Sequence, residues 1–468
     1  MIEKGKIMRK PNLLPLLAAL VLAGCANLAT TEPHALPAVP EAFKTQGASV
    51  GTTVEAQWWK TFADPVLDDL TERALAHNTS IQGAAARLAQ ARALLRSTDA
   101  DRSVQAGLSA GAGRQGGAAA RTAGTAGTVI TASVNLSYEI DVMGRLAKAS
   151  SAASLDAQAR ESLLQSTRLL VQSDVAQTYF ALRALDAERA LTRDTVAAYN
   201  DTLKLTEKRF NAGDIAELDV VRVRTEVSAT LSQSIALDRR RQELEHALAL
   251  LAGELPSSLS VAEVVADGVW KQTLPIIPAG VPSTVLARRP DVAAAQSSVK
   301  AAQARLGVAQ TAWFPNLALT ASAGGASPEL SDLFKSSAGL WGINALLNLP
   351  LFDGGRREAG VQGAAAQLDA ASANYREQVL IAFRDVEDQL SALQSLAVQS
   401  QVQAQAVASA TRALQLSDSR YRNGLVSQLE LLDARRSQLS LRRQALQVRA
   451  AQYQSTVGLI KALGGGWG

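Results

Sequence analysis

An internal repeat runs through most of this chain and limits the folds that it can adopt. Its matched positions keep one constant spacing of 211: Gly144 and Gly355, Arg145 and Arg356, Arg209 and Arg420, Gly213 and Gly424, Arg224 and Arg435, and the segments 218–221 and 429–432. Upstream, Arg87-Leu88 matches Arg305-Leu306 at a spacing of 218, which predicts that one loop differs in length by about seven residues. Such regularity indicates a tandem duplication of one structural unit.

The duplication sets the domain boundaries that we expect. Residues 58–270 form the first repeat and residues 271–463 the second, each in the order helix, β-hairpin, long helix, tip turn, helix. Residues 1–24 are predicted to be a signal peptide, residues 25–57 a lipidated tether, and residues 464–468 a C-terminal tail.

The helices are predicted to be very long. Residues 145–209 contain neither Pro nor Gly, and the counterpart segment has only Gly360 and Gly363 near its start. At 1.5 Å per residue this stretch makes a helix of about 97 Å, which requires a rod or a tube. Apolar residues make up 47% of the chain and aromatic residues only 4%, which favours close packing of Ala-rich helices.

Heptad spacing of apolar residues predicts that these helices pack as coiled coils. Two seams follow this spacing: Leu67, Ala74, Ile81, Leu88 and Leu95 near the N-terminus, and Leu425, Leu432, Leu439, Leu446, Tyr453 and Ile460 near the C-terminus.

Four segments follow a period of two instead. Apolar residues occupy alternate positions in residues 104–110, 130–138, 317–323 and 341–349, and small or polar residues lie mostly between them. Segments of this length with one apolar and one polar face are typical of transmembrane β-strands, although two soluble amphipathic hairpins remain an alternative. Residues 111–127 show neither period and are predicted to be an extracellular loop.

Four strands cannot form a closed barrel, and an open strand edge in lipid leaves backbone polar groups unsatisfied. Copies of the chain must therefore associate, giving eight strands in a dimer or twelve in a trimer. Because side chains largely fill an eight-stranded barrel, a conduit favours the larger number.

The N-terminus reads as a secretory signal. Lys4, Lys6, Arg9 and Lys10 precede a short apolar stretch that ends in Leu22-Ala23-Gly24-Cys25. This is the pattern of a bacterial lipobox, so Cys25 is the predicted site of N-acyl and diacylglycerol attachment. An ordinary signal peptide with a coincidental Cys is the alternative.

Composition argues against several classes of function. The formal charge is +4, but the predicted signal peptide carries four basic side chains and one acidic side chain, so the remainder has a charge of only +1. No nucleic-acid partner is expected from that charge. The three histidines, at positions 34, 77 and 246, are too dispersed for a metal site. No nucleophile–base arrangement is recognisable, and we expect neither an enzyme nor a cofactor.

Taken together, the motifs resemble those of the TolC-type outer membrane factors, in particular the lipoprotein branch that serves tripartite efflux pumps. They cover nearly the whole mature chain: residues 58–70, 287–296, 313–322, 348–357, 421–436 and 463–467. The resemblance implies a mixed α and β membrane protein. It implies a homotrimeric twelve-stranded transmembrane β-barrel, four strands per chain, continuous with a long periplasmic α-helical coiled-coil barrel. Ala26 after the lipobox implies sorting to the outer membrane.

The resemblance also implies roles for the glycine turns that end the long helices. It places these turns at a periplasmic tip, where they contact an adaptor protein; the candidates are Arg209, Phe210, Gly213, Arg420, Tyr421 and Gly424. The candidates for the pore constriction are Asp214, Asp219, Leu425, Val426 and Glu430. Many family members carry an acidic residue where this chain has Val426, so the gate is expected to be mainly hydrophobic. Plain hairpin turns without a contact role are the alternative.

The function implied is a passive exit duct for small toxic compounds or drugs. The implied partners are a periplasmic adaptor, an inner-membrane transporter and the lipid of the outer membrane. Two alternatives remain open, namely a duct for type I protein secretion and a structural coiled-coil lipoprotein without a pore. The expected location is the outer membrane, with an extension into the periplasm.

Overall fold

The structure is a computed structural model, and it describes residues 42–45, 57–118, 122, 127–263, 274–278 and 288–465. The predicted signal peptide, Cys25 and most of the predicted tether lie outside the described residues. Among the described helices, none is both long enough and apolar enough to cross a bilayer.

Seven helices and four strands make up the main elements of the described residues, together with short 3₁₀ turns such as Trp58–Phe62. In chain order they are α1 (Pro65–His77), α2 (Thr79–Ala100), β1 (Gln105–Gln115), β2 (Gly127–Ile140), α3 (Arg145–Asn211), α4 (Glu217–Leu251), α5 (Pro290–Thr311), β3 (Asn316–Ser327), β4 (Gly339–Asn348), α6 (Arg356–Arg422) and α7 (Gln428–Ala462).

The chain divides into two compact units. The sheet unit contains Leu95–Ser154 and Val299–Ala373. The helical unit contains the described residues of Leu36–Leu94, Leu155–Ser298 and Asn374–Gly468.

In the sheet unit, the strands pair antiparallel in the order β1-β2-β3-β4. The register aligns the predicted apolar positions on one face: Leu108, Val134, Leu136, Tyr138, Leu317, Leu319, Ala321, Trp341, Ile343 and Leu347. The opposite face carries small and polar side chains: Ser109, Ser133, Asn135, Ser137, Thr320, Ser322 and Asn344. Over the predicted ranges, β1, β2 and β3 have one apolar side and one small or polar side, which confirms the prediction of two-faced strands there. β4 departs from it, because Leu346, and Leu340 just outside the predicted range, lie on the face of Asn344.

The predicted loop at residues 111–127 is wrong at both ends. Strand β1 continues to Gln115, and β2 begins at Gly127, so these two residues are paired partners. The misleading signal was the small size of the side chains: Gly111 and Gly113 leave no apolar alternation, yet their backbones pair with those of Thr131 and Val129. Backbone pairing does not require the alternation by which the strands were recognised.

The predicted change of spacing from 211 to 218 is also wrong. Helix α5 begins and ends at a spacing of 211 from the two ends of α2, and β3 starts at the same spacing from the start of β1. Leu88 therefore corresponds to Val299, and both are buried. The error is one heptad, because a helix with a heptad seam resembles itself when it is displaced by seven residues.

The first heptad seam does not lie on one helix. Asn78 separates α1 from α2 with extended backbone angles, φ −62° and ψ 127°. Its side-chain Oδ1 accepts hydrogen bonds from the Ser80 and Ile81 amides at 2.9 and 3.2 Å. Asn at an N-cap begins a new helix, so the apolar spacing continues through a break in the backbone.

The core of the helical unit gathers side chains from both repeats. Trp58, Phe62, Phe180 and Tyr453 belong to one buried cluster, and the Phe180 and Tyr453 ring centroids are 4.7 Å apart. Seven of the twenty aromatic residues of the chain belong to this cluster, where helices of the two repeats meet. The mixed α and β class, the four strands per chain and the internal repeat are confirmed.

Candidate functional site

The two predicted tip turns have the same backbone geometry. Gly213 and Gly424 have φ angles of +82° and +70°, the left-handed conformation that glycine adopts without strain. In the first turn the Asp214 amide donates to the Arg209 carbonyl at 2.9 Å, and in the second the Leu425 amide donates to the Arg420 carbonyl at 2.9 Å. Each turn is a Schellman motif that ends a 67-residue helix.

The structure brings several of the predicted tip residues together. The Arg209 guanidinium lies over the Tyr421 ring, 5.9 Å from its centroid, so the two turns touch each other. Arg420 Nη1 is 3.6 Å from Glu430 Oε1 within the second turn. Both side chains of this ion pair are about half exposed, and solvent therefore screens the attraction.

The other candidates differ in exposure. Leu425 is 68% exposed and Phe210 is 39% exposed, whereas Tyr421 is buried and Val426 is half-buried. Exposed apolar side chains at a helix turn are suited to a partner surface or a hydrophobic constriction.

The two acidic candidates of the first turn have different surroundings. Asp214 is exposed, and Asp219 is 3.8 Å from Arg222 one turn further along α4.

Contacts between the two hairpins, α3/α4 and α6/α7, were missed from the sequence. Gln428 Nε2 donates to Thr206 Oγ1 at 2.8 Å, and both residues are buried. Arg435 Nη1 donates to Thr202 Oγ1 at 2.7 Å and to the Ala198 carbonyl at 2.9 Å. Positions 198, 202 and 206 are four residues apart and thus lie on one face of α3, which α7 contacts. The one available signal was this spacing, which is too common in helices to be specific.

An apolar cluster supports these hydrogen bonds. Tyr199, Val223 and Leu432 come from α3, α4 and α7 and are 1%, 0% and 2% exposed. Burial raises the pKa of Tyr199 to about 12, and the nearby Glu226 carboxylate adds to this effect. The Tyr199 hydroxyl is buried and has no hydrogen-bond partner among the described residues.

Further along the first repeat, a buried charge network joins α3 to α4. Arg183 and Asp186 are each 1% exposed, and Arg241 Nε donates to Asp186 Oδ1 at 2.7 Å. Arg183 and Arg241 also donate to the carbonyls of Ala262 and Val261, at 2.8 and 2.7 Å. The corresponding positions of the second repeat are uncharged: Gln394, Ala397 and Gln452. These contacts hold the chain after α4 in place.

The predicted lipidation site, Cys25, lies outside the described residues. Within the described ranges, no three His, Cys, Asp or Glu side chains are grouped so that they would hold a metal ion.

The sheet presents a second candidate surface. Its apolar face is open in the single chain, with Leu108, Trp341 and Ile343 exposed by 80%, 82% and 73%. β1 and β4 end the strand order, so each has one side without a paired strand among the described residues. A sheet with an apolar face and two open edges needs further partners.

Comparison with known families gives a match to the outer membrane efflux protein family over residues 70–254 and 281–465. Both ends of the second matched range lie at a spacing of 211 from those of the first, which agrees with the spacing of the helices and strands.

Characterised relatives are similar over almost their whole length. The chain is 32% identical to the cation efflux system protein CusC of Escherichia coli, over 97% of this chain and 99% of CusC. It is 33% identical to the toluene efflux pump outer membrane protein TtgI of Pseudomonas putida, over 97% and 98% of the two chains. It is 30% identical to the probable outer membrane lipoprotein SilC of Salmonella typhimurium, over 98% and 100%.

Solved structures support the same assignment. The Campylobacter jejuni CmeC outer membrane channel matches with a TM-score of 0.86 at 26% identity, covering 94% of both chains. The open state of the Neisseria gonorrhoeae MtrE outer membrane channel matches with a TM-score of 0.81 at 27% identity, covering 93% of this chain and 98% of MtrE. The predicted efflux function, outer-membrane location and absence of an enzymatic role are thereby confirmed, and the chain belongs to the outer membrane efflux protein family.

Proposed function

We propose that three copies of this chain form the passive exit duct of a tripartite pump for small toxic compounds. A periplasmic adaptor and an inner-membrane transporter, supplied by other proteins, complete the pump. The observation that carries this proposal is the open four-stranded sheet, whose apolar face is continuous from β1 to β4. Three copies supply twelve strands, which would satisfy all strand edges and enclose a water-filled lumen.

The cargo is not selected by a binding pocket of this chain. CusC is named for cation efflux and TtgI for toluene efflux, yet both are similar to this chain over nearly their full length. Cations and toluene share no recognition chemistry, which supports a duct whose selectivity comes from width and rim charge. The inner-membrane transporter would then choose the cargo.

The gate lies at the two tip turns in this proposal. Arg209, Phe210, Gly213, Arg420 and Gly424 form the surface for the adaptor, and the buried Tyr421 supports it from beneath Arg209. Leu425 and Val426 narrow the lumen together with Asp214, Asp219 and Glu430. The exposure of Leu425 and the pairing of Glu430 with Arg420 support a constriction that is mainly hydrophobic and closes by dewetting.

We also propose that Cys25 carries the diacylglycerol and N-acyl groups and that the domain boundaries follow the duplication, with repeats at 58–270 and 271–463. The name of SilC as a probable lipoprotein supports the first point. Mass spectrometry of the mature N-terminus tests it, and an unmodified or differently cleaved terminus contradicts it.

Conductance of the purified protein in planar bilayers tests the gate. We expect the double variant Leu425→Ser, Val426→Ser to raise the resting conductance severalfold, because polar side chains remove the barrier to wetting. Leu250→Ser is a suitable control. Leu250 is also exposed, but it lies at the end of α4 that is remote from the first tip turn. Unchanged conductance in the tip variant would refute the hydrophobic gate.

Deletion of the gene tests the cargo class. We expect the deletion to increase sensitivity to small toxic compounds or metal ions and to leave protein secretion intact. Loss of a secreted protein without a change in sensitivity would favour type I secretion instead.

A further inference from the structure

A short stretch near the N-terminus is held against the second long helix. Phe43 is 9% exposed and belongs to the same buried cluster as Val386 and Leu390 of α6. The Lys44 amide donates to Glu387 Oε1 at 2.5 Å, and the Thr45 amide donates to Glu387 Oε2 at 3.2 Å. Two consecutive amides therefore fasten this stretch to α6, and Phe43 lies in the core cluster to which Val386 and Leu390 also belong.

Glu387 is well suited to this task. A carboxylate that accepts one amide on each oxygen holds the backbone in a fixed direction, and hydrogen bonds to a charged acceptor are stronger than neutral ones. The corresponding position of the first repeat is Ala176, which is fully buried. The carboxylate is thus a feature of the second repeat alone, where the N-terminal stretch docks.

We propose that residues 42–45 form a strap that fastens the N-terminal tether to α6, with Phe43 as the anchor and Glu387 as the clamp. This proposal rests on the proposed acylation of Cys25, because the strap bears a load only if the other end of the tether is held by the membrane. The tether from Cys25 to Phe43 can span at most about 60 Å. The strap therefore limits how far this part of α6 can lie from the acyl chains.

The strap also links the proposed acyl groups at Cys25 to α6, the helix that ends at the second tip turn. Helix α6 runs without interruption from Arg356 to Arg422, and Glu387 lies near its middle. The clamp is therefore made on the helix that leads to the turn with Leu425 and Val426.

Hydrogen exchange of the full-length protein in detergent tests the clamp. We expect Glu387→Ala to accelerate exchange of the Lys44 and Thr45 amides at least about tenfold. Glu387→Gln, which keeps one acceptor oxygen, should have an intermediate effect. Asp388→Ala is the matched control because Asp388 is the neighbouring carboxylate, is exposed, and pairs with Arg384 instead. We expect this control to leave both amides unchanged.

The outcomes separate the strap from the acylation. If the Lys44 and Thr45 amides exchange at the wild-type rate in both Glu387→Ala and Asp388→Ala, the clamp is absent and the strap is refuted. If the clamp is present but mass spectrometry finds Cys25 unmodified, the acylation and the load-bearing role both fail, while the contact itself stands. Phe43→Ala is a second probe of the contact, and we expect it to accelerate exchange of the same two amides.

Discussion

At the scale of single residues, the duplication places identical side chains in different roles. Arg224 and Arg435 occupy equivalent positions in the two repeats. Arg224 Nη2 donates to Glu207 Oε1 at 3.0 Å within its own hairpin, whereas Arg435 crosses to Thr202 of the other hairpin. Arg435 keeps the contact within its own hairpin as well, because its Nη2 lies 3.6 Å from Asp418, the equivalent of Glu207. The second repeat therefore adds a contact between hairpins to the contact that both repeats share.

This pair provides a matched test of how the tip is held closed. We expect Arg435→Ala to raise the resting conductance, because it removes the hydrogen bonds from α7 to Thr202 and Ala198. We expect Arg224→Ala to leave conductance near the wild-type value, because the contact between the hairpins remains. Single-channel recordings of both variants measure this difference. Equal conductances would argue that the contact of Arg435 with α3 does not hold the tip closed.

Tyr199 gives a prediction about pH. Because burial raises the pKa of Tyr199 from 10.0 to about 12, the folded protein favours the neutral hydroxyl. The resulting stabilisation is complete below the unfolded pKa and is lost as the pH rises through the folded value. We expect the wild type to lose thermal stability between about pH 10 and 12 more steeply than Tyr199→Phe. Circular dichroism melts of both proteins across this range provide the measurement, and parallel curves would contradict it.

At the scale of elements, glycines at the helix ends differ in what surrounds them. Gly213 and Gly253 both have positive φ angles, +82° and +72°. A Cβ added at Gly213 would meet open space, whereas one at Gly253 would overlap the His77 carbonyl.

We expect Gly213→Ala to cost about 1–2 kcal/mol, which is the strain of the left-handed conformation alone. Gly253→Ala should cost clearly more, since the backbone of either α1 or α4 must also move. Thermal denaturation of the two purified variants compares these costs. Equal losses of stability would mean that the backbone after α4 can move away from the His77 carbonyl at no measurable cost.

An element could be predicted from the sequence where its residues follow a local pattern. The long helices were predicted from stretches almost without Pro or Gly and the paired strands from a period of two, and both predictions have small errors at the ends of the elements. The break at Asn78 was missed because apolar spacing continues through it, and the strand extension to Gln115 was missed because glycine pairs without any apolar signal. Contacts such as that of Gln428 with Thr206 join residues 222 positions apart, and no local pattern encodes them.

Adjacent residues of β3 test which face of the sheet meets lipid. Ala321 pairs with Leu136 and Ile343 on the apolar face, whereas Thr320 lies on the polar face opposite Ser137. A lysine on the lipid face costs about 2–4 kcal/mol at the bilayer centre, and the cost recurs in every copy.

We therefore expect Ala321→Lys to reduce the amount of assembled protein in the outer membrane severalfold. Thr320→Lys should assemble normally, because its side chain would face water. Fractionation and detergent-resistant oligomer bands measure both variants. Normal assembly of Ala321→Lys together with failure of Thr320→Lys would reverse the proposed orientation of the sheet.

At the scale of the whole molecule, one chain supplies only part of a closed structure. The sheet has four strands, an open edge on β1 and another on β4, and the apolar face bears side chains such as Trp341 that are 82% exposed. Neither feature is satisfied by residues that the structure describes in this chain. Copies must supply the missing neighbours, and the number of copies decides whether a lumen exists.

The number of chains per particle therefore tests the proposed duct directly. Two copies would give eight strands and an interior filled by side chains, whereas three give twelve and leave room for a channel. We expect native mass spectrometry of the detergent-solubilised protein to find three chains per particle, with dissociation accompanied by loss of strand signal in circular dichroism. A particle of two chains would remove the lumen while leaving the open edges satisfied. A monomer that stays dispersed without detergent would show that the apolar face is covered in some other way. The sheet could then not form the wall of a channel.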